Sequence, residues 1–433
     1  MSAAVELSQV QRLILFGPRL PKVRHFFLTV VNATQARSFM RRLEHDVAFA
    51  DSAAQDASIA VALTYNGLQA LRVAEDYLDA FRRLAPEFIQ GAATRAAEFL
   101  GDTGRNEAPG WEPAYRSPDT HMLLTIHAQT EAALSECVAS LRADSGAAGF
   151  RGWDAPQHGA RLDHTGGNIL REHFGFRDGI SQPVIRGLHD KAAINPESVH
   201  AEAGEFLLGY VDEDGANRWS SSDVATDVQA FVRNGSFIAL RKMQQHVDTF
   251  GGLSQLEQAK MCGRWHDGAV VQPGERTPPV SIPAQPNQFD FRDDPAGHGC
   301  PFSAHIRRIN PRGDRVIPPR KRLLMRRGIP YGSKGEADVG LLGVFICASL
   351  ARQFEFLLAE WVAEPPMAPG TRTPDPVIGP RFATHPDFTY PMPTTANPAH
   401  VETVRLRDYV TTRGTLYGFY PSRKALGMIG ALA

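Results

Sequence analysis

The chain alternates between short, nearly continuous apolar runs and longer segments whose apolar residues recur every three or four positions. The run at 25–31 reads as a buried strand. The segment after it places Ala36, Phe39, Met40, Leu43 and Val47 on one helical face, and 57–63 reads as a second strand. A helical stretch over 86–100 and a strand over 121–127 follow. A helix then carries Leu134, Cys137, Val138 and Leu141 at i, i+3, i+4 and i+7. A second passage of the same kind begins after residue 203. There Asn234-Gly235 predicts a hairpin-type turn, Phe237 to Leu240 a strand, 243–262 a helix and 339–348 an apolar strand. A last helix would bury Leu350, Phe354, Leu357, Leu358 and Trp361. Strands alternating with helices that cover one face predict an α+β fold.

Between these elements lie long stretches of weak periodicity, at 101–118, 144–203, 264–335 and 363–400. Loops of that length line a site or are disordered. Composition adds boundaries. At 433 residues, 43% hydrophobic and 21% charged, the chain has the make-up of a soluble globular protein with room for two or three domains. A formal net charge of -1 supplies no general attraction to nucleic acid or to anionic membranes. The basic run through Arg307, Arg308, Arg312, Arg315, Arg320, Lys321, Arg322, Arg326 and Arg327 therefore reads as a solvated face before it reads as a nucleic-acid patch. Cys137, Cys262, Cys300 and Cys347 show no paired spacing, which fits reduced thiols better than disulfides or a zinc site. No stretch approaches the roughly 18 apolar residues of a membrane span, and no basic region precedes a long apolar core, so the expected location is cytoplasmic.

The candidate chemistry sits in the loops. Gly175-Phe176-Arg177-Asp178-Gly179-Ile180-Ser181-Gln182-Pro183 places one carboxylate among glycines and aromatics. Alone, Asp-Gly is a common turn dipeptide. In a partly dry cavity the same carboxylate is an acid/base group. Two other segments supply what it would need: an imidazole in Ala304-His305-Ile306-Arg307-Arg308, followed by Asn310-Pro311-Arg312, and a guanidinium in Arg326-Arg327-Gly328-Ile329-Pro330-Tyr331-Gly332.

In these three segments the chain resembles the dye-decolourising peroxidases, in particular the longer bacterial and fungal branch. Weaker likeness runs through Gly204 to Tyr210, Gly235-Ser236-Phe237 and Tyr417 to Ser422. The resemblance implies two ferredoxin-like α+β domains, divided here as 1–203 and 204–433, with the second holding most of one haem b per chain. It implies that His305 is the axial ligand, Asp178 the proton shuttle and Arg326 the cation beside the breaking O–O bond. Ile180, Ser181, Leu341 and Phe345 are expected to line the haem, and Arg307, ahead of Arg308, to pair with a propionate. A carboxylate should accept from the second nitrogen of His305, with Asp375 preferred to Glu355. The implied reaction is reduction of hydrogen peroxide through a ferryl intermediate, followed by one-electron oxidation of dyes, phenols or other small donors, favoured at acidic pH. A haem-handling protein is the alternative, although a carrier needs neither Asp178 nor Arg326. Gly343 stands where relatives often have a bulky aromatic, which predicts a wider pocket. Tyr331, Trp361, Tyr390 and Tyr420 are aromatic enough for radical relay but carry no assigned role.

Overall fold

The structure, a computed structural model, describes residues 4–17, 20–53, 55–162, 170–188, 200–220, 224–281, 287–314, 322–363, 373–381, 384 and 386–432. Its first strands are β1 (Lys22–Val30), β2 (Ala57–Leu63), β3 (Met122–Ala128), β4 (Phe150–Arg151) and β5 (Gln157–Ala160). A two-residue parallel pair follows, β6 (Val184–Ile185) with β7 (His200–Ala201). Then come β8 (Ser236–Gln245), β9 (Met325–Tyr331), β10 (Gly340–Cys347), the hairpin β11 (Asp387–Pro391) and β12 (Val401–Arg405), and β13 (Val410–Tyr420). Nine of these form one sheet in the order β4-β1-β3-β2-β13-β8-β10-β9, with β5 also paired to β1.

The sheet is antiparallel and continuous across both halves of the chain. β13 runs along β8 and meets β2 at Phe419 opposite Leu63. Its two edges also approach one another. A Cβ added at Gly159 of β5 would lie 2.9 Å from Ile329 Cγ2 and 3.1 Å from the Pro330 carbonyl of β9, so the sheet curls into a barrel. Period-two alternation then sorts side chains inward and outward. Ala60, Ala62, Leu123, Ile238, Leu240, Val344 and Ile346 share one inner core. On the outside of the first half, Phe26, Leu28, Val61, Leu124 and Ile126 pack beneath the helices Ala33–Asp46 and Glu131–Arg142. Asn32 and Thr130 cap those helices by accepting the amides of Gln35 and Ala133. All five residues expected on the first helical face are buried.

Several boundaries differ from the sequence reading. Residues 243–262 are not one helix: β8 continues to Gln245, and two short helices, Val247–Gly251 and Gln255–Cys262, flank Gly252. Pairing of Lys242, Met243 and Gln244 with β10 outweighs their helix propensity. Asn234-Gly235 makes no hairpin. It links the helix Thr226–Val232 to β8, with Asn234 in the left-handed region at φ 65°. The stretch 86–100 breaks at Gly91 (φ 74°) and resumes as Ala96–Phe99. The long loop 264–335 hides β9 and the helix His305–Ile309. The segment 363–400 contains β11. Arg315, Arg320 and Lys321 of the basic run lie outside the described residues.

Candidate active site

The outer face of β8, β9 and β10 is left without a covering helix over part of its area. Arg241, Met243 and Gln245 of β8, Arg326, Gly328 and Pro330 of β9, and Leu341, Gly343 and Phe345 of β10 all point there, as the strand registers require. They wall a cavity of about 1220 Å³. Other walls come from 170–183, from the helix His305–Ile309, and from Phe354, Leu357 and Leu358. The last three belong to π-type helical turns over Leu350–Glu355 and Leu357–Ala363, a geometry often found at functional sites.

The segment 170–183 delivers Asp178. The backbone turns back on itself, with a bridge between Arg171 and Arg177, and the Asp178 amide donates to the Leu170 carbonyl at 2.8 Å. Gly175 and Gly179 adopt φ 94° and 70°, conformations open to glycine at little cost. The Gly179 amide donates to Asp178 Oδ1 at 2.6 Å, and Oδ2 lies toward Gly328 of β9. Beyond Asp178 the chain runs along the free edge of β9. The Gln182 side chain bonds both the amide (3.1 Å) and the carbonyl (2.9 Å) of Arg326, standing in for a neighbouring strand. Arg326 Nη2 donates to the Ser181 carbonyl at 2.7 Å. Arg326 is exposed to the cavity yet enclosed by protein. Burial lowers its pKa and the charge of Asp178 opposes that shift; a guanidinium remains protonated regardless. Arg327, one residue on, turns to the opposite face and donates to the carbonyls of Leu13 and Ile14.

His305 opens its short helix and lines the cavity together with Ile306 and Ile309. Its Nδ1 is 2.8 Å from Asp375 Oδ2. Asp375 is fully buried, and its other oxygen accepts the amides of Val377 and Ile378. Burial pushes the Asp375 carboxyl up, but the neighbouring His305 and Arg308 and the Ile378 amide outweigh it and hold the pKa below the ordinary value. The carboxylate therefore fixes Nδ1 as the donor and leaves Nε2 as the lone-pair nitrogen. Glu355, the other candidate for this partner, is engaged elsewhere: it takes a two-pronged ion pair from Arg95 at 2.6 and 2.7 Å and a bond from Tyr417.

Arg307 does not face the cavity. It is fully buried and donates to Asp314 Oδ2 (2.6 Å), the Cys300 carbonyl (2.8 Å) and Asp294, with Phe291 and Phe302 against its guanidinium. Helix geometry is the cause. Ile309, at i+4 from His305, shares its face, whereas Arg307, at i+2, points to the far side. Arg308 is also buried, holding the carbonyls of Ser303, Trp361 and Thr373. Of the three arginines that closely follow His305, Arg312 lines the cavity, donating to Ser181 Oγ (2.9 Å) and the Asn287 carbonyl (2.9 Å) beside Phe289. Ile180 and Ser181 line the cavity as well. Leu341 and Phe345 do too, but Gly343 does not widen the space between them. A Cβ there would meet the Phe345 ring at 2.7 Å, so Phe345 already fills the position.

Comparison with known proteins bears on this geometry. Residues 10–149 match the model of the DyP dimeric alpha+beta barrel domain, and 205–366 match the Dyp-type peroxidase C-terminal model. The chain belongs to the dye-decolourising peroxidase family. A dye-decolorizing peroxidase of Mycetinis scorodonius is 28% identical over 98% of this chain and 88% of its own. A multifunctional dye peroxidase of an Amycolatopsis species is 28% identical over 97% of this chain and 95% of its own. A solved dye-decolorizing peroxidase in complex with 2,6-dimethoxyphenol superposes with a TM-score of 0.82 at 26% identity, covering 99% of this chain and all of that one. The shared α+β barrel architecture accompanies a shared activity, and this chain is a peroxidase.

The family implies haem, and the cavity fits it. Its volume exceeds the roughly 300–1,000 Å³ of ordinary small-molecule pockets. Apolar walls from Leu341, Phe345, Phe354, Leu357 and Ile309 suit a flat macrocycle. His305 offers an imidazole nitrogen whose ring is fixed by a buried carboxylate, the arrangement a metal-binding histidine requires. Arg312 supplies a cation for a carboxylate at the rim.

Proposed function

We propose that this peroxidase binds one haem b per chain, which the His305 imidazole would hold by its iron. Asp178 and Arg326 would act on hydrogen peroxide, and phenols, dyes or similar small donors would then be oxidised one electron at a time. The observation that carries the reading is that one cavity receives both the carboxylate-held imidazole of His305 and the Asp178–Arg326 pair. The relative solved with 2,6-dimethoxyphenol supports a phenolic donor.

Bound haem supplies the iron on which peroxide is reduced and the oxidising equivalents are held. The rest falls to side chains. Asp375 holds the His305 ring in one orientation and strengthens its donor nitrogen. The Asp178 carboxylate takes the proton from one peroxide oxygen and returns it to the other, the role of a positioned general base and acid. Arg326 faces the charge that gathers on the departing oxygen, and its guanidinium is already fixed by Ser181 and the Gln182 clamp. Arg312, in place of Arg307, would hold a haem carboxylate. Over one cycle, one hydrogen peroxide and two donor molecules give two waters and two donor radicals. As a class, carboxylates stay ionised at acidic pH values where imidazoles are already protonated, so activity is favoured at acidic pH. Cys137, Cys262, Cys300 and Cys347 are all unpaired, which supports a reducing, cytoplasmic setting. Among the described residues, no helix is long and apolar enough to cross a membrane.

The test is the visible spectrum of the purified protein before and after one equivalent of hydrogen peroxide. A Soret band that peroxide rapidly converts is expected. In Asp178→Asn the band should persist, with the peroxide reaction slowed by about 10²–10⁴-fold. A Soret band that peroxide leaves unchanged in the wild type would turn the reading to haem handling.

A further inference from the structure

Six residues before Asp178, a second carboxylate lines the same cavity. Glu172 accepts the amides of Phe174 (2.9 Å, on Oε2) and Phe176 (2.8 Å, on Oε1), both from the loop that ends in Asp178. Its Oε2 also contacts Gln245 Nε2, at the end of β8. β8 pairs with β10, and β10 with β9, the strand of Arg326. The Asp178 loop and the Arg326 sheet thus meet at the Glu172–Gln245 contact. We propose that Glu172 is a positioning residue for Asp178: joined to Gln245, it fastens the acid/base loop to the sheet that carries Arg326. The proposal rests on the role given to Asp178 above.

A second observation shows how the contact is built. Gln245 Oε1 is buried and has no hydrogen-bond donor among the described residues. A neutral carboxyl at Glu172 keeps the contact, because rotating the Gln245 amide by half a turn brings Oε1 to face the acid O–H and moves Nε2 into the place Oε1 held. The site therefore accommodates the protonated form, with Glu172 donating to Gln245 while still accepting loop amides. The surroundings agree. Asp178 faces Glu172 with like charge, and the Cys262 thiol, from the end of the helix Gln255–Cys262, is itself kept neutral by burial. The nearby cavity cations are engaged: Arg241 pairs with Asp102, and Arg264 holds the Gly268 carbonyl and Asn287. Burial, with the charge of Asp178, raises the Glu172 pKa to about 7 against the opposing hydrogen bonds from Gln245 and the loop amides. The sign follows from linkage: a carboxyl raised by enclosure favours the closed loop when protonated, and that advantage is lost as pH rises toward 7. The fastening is firmest in acid, where the Asp178 shuttle is expected to work.

The experiment is hydrogen exchange over 170–180, corrected for intrinsic rates, at pH 5.5 and 8.5, on wild type, Glu172→Gln and Gln245→Leu. Glu172→Gln is a permanently neutral isostere. Wild-type protection should fall by about tenfold or more between the two pH values, and Glu172→Gln should stay protected at both. Gln245→Leu should be loosened already at pH 5.5. On haem-loaded protein, the rate constant with hydrogen peroxide should step down near neutrality in wild type and lack that step in Glu172→Gln. Wild-type exchange that ignores pH, a Glu172→Gln protein that follows the wild-type profile, or a Gln245→Leu loop as protected as wild type would each overturn the proposal. Exchange is read on the purified protein whatever it carries, so a missing Soret band counts against the peroxidase reading and leaves the exchange result to decide this one.

Discussion

At the scale of single residues, direction matters more than identity. Three arginines follow His305 within seven positions, and any of them has the charge for a haem carboxylate. Only Arg312 presents that charge to the cavity. Arg307 instead neutralises Asp314 and Asp294 in a buried cluster. Removing one member of such a cluster leaves a charge without its partner, at a cost of about 3–5 kcal/mol. Arg307→Ala should therefore lower the unfolding free energy by that amount, read by denaturant titration, while the fraction that folds keeps its Soret position. Arg312→Leu should do the reverse, weakening haem binding in a haem titration with little change in the midpoint of unfolding. The difference was not legible in the sequence, which read 264–335 as loop; the short helix that turns Arg307 to the far side from His305 emerged only in the structure. The pairing of His305 with Asp375, 70 positions away, was not a matter of spacing at all and rested on the family resemblance.

Elements show a different kind of error. β9 was read as loop because Arg326-Arg327-Gly328-Ile329-Pro330-Tyr331 lacks the apolar alternation of a strand with one buried face. One of its faces looks into the cavity, where it presents Arg326, and its outer edge is met by Gln182 in place of a strand. Functional strands fail pattern tests for this reason: the face that would have been apolar carries the chemistry. β10 was read correctly, because Val344 and Ile346 fill the barrel core and Leu342 packs with Val23, Ile329 and Tyr331. Its cavity face holds Leu341, Gly343 and Phe345, and there the packing of Phe345 decides what Gly343 does. Gly343→Val would collide with the Phe345 ring and approach Met243 Cε, turning Phe345 toward the cavity. Overpacking of this kind costs about 1–3 kcal/mol, so haem affinity should fall by about tenfold or more in a titration of the haem-free protein.

At the scale of the whole molecule, closing the barrel buries two histidines. His25 and His127 lie in edge-to-face contact at 6.5 Å, and His25 Nδ1 is 2.8 Å from Thr125 Oγ1. Burial depresses the pKa of His25 to about 4; burial, with the charges of His25 and Arg161, depresses that of His127 to about 3. Both are neutral in the folded protein and protonate near 6.5 once unfolded. Their contribution to stability is whole above pH 6.5 and is lost as pH falls through about 4. Thermal unfolding should show a falling Tm from pH 6.5 to pH 4, with a smaller fall in His127→Gln than in wild type. An equal fall in both would mean that these rings are hydrated. Acidic conditions thus favour the Asp178 loop while loading the barrel beneath it.

Patterns along the chain were enough to place most of the strands and helices, their buried faces on either side of the barrel core, and the three segments that meet at the cavity. Those signals are local: periodicity reports which face is dry, and short motifs report residue type at fixed spacing. Tertiary structure alone decided which of several equivalent arginines meets the cavity, that Glu355 serves Arg95 and Tyr417, that Glu172 reaches Gln245, and that Phe345 occupies the space above Gly343. These are matters of direction and long-range contact. Residues tens to hundreds of positions apart are brought together by the curl of one sheet, and no pattern within a single segment carries that information.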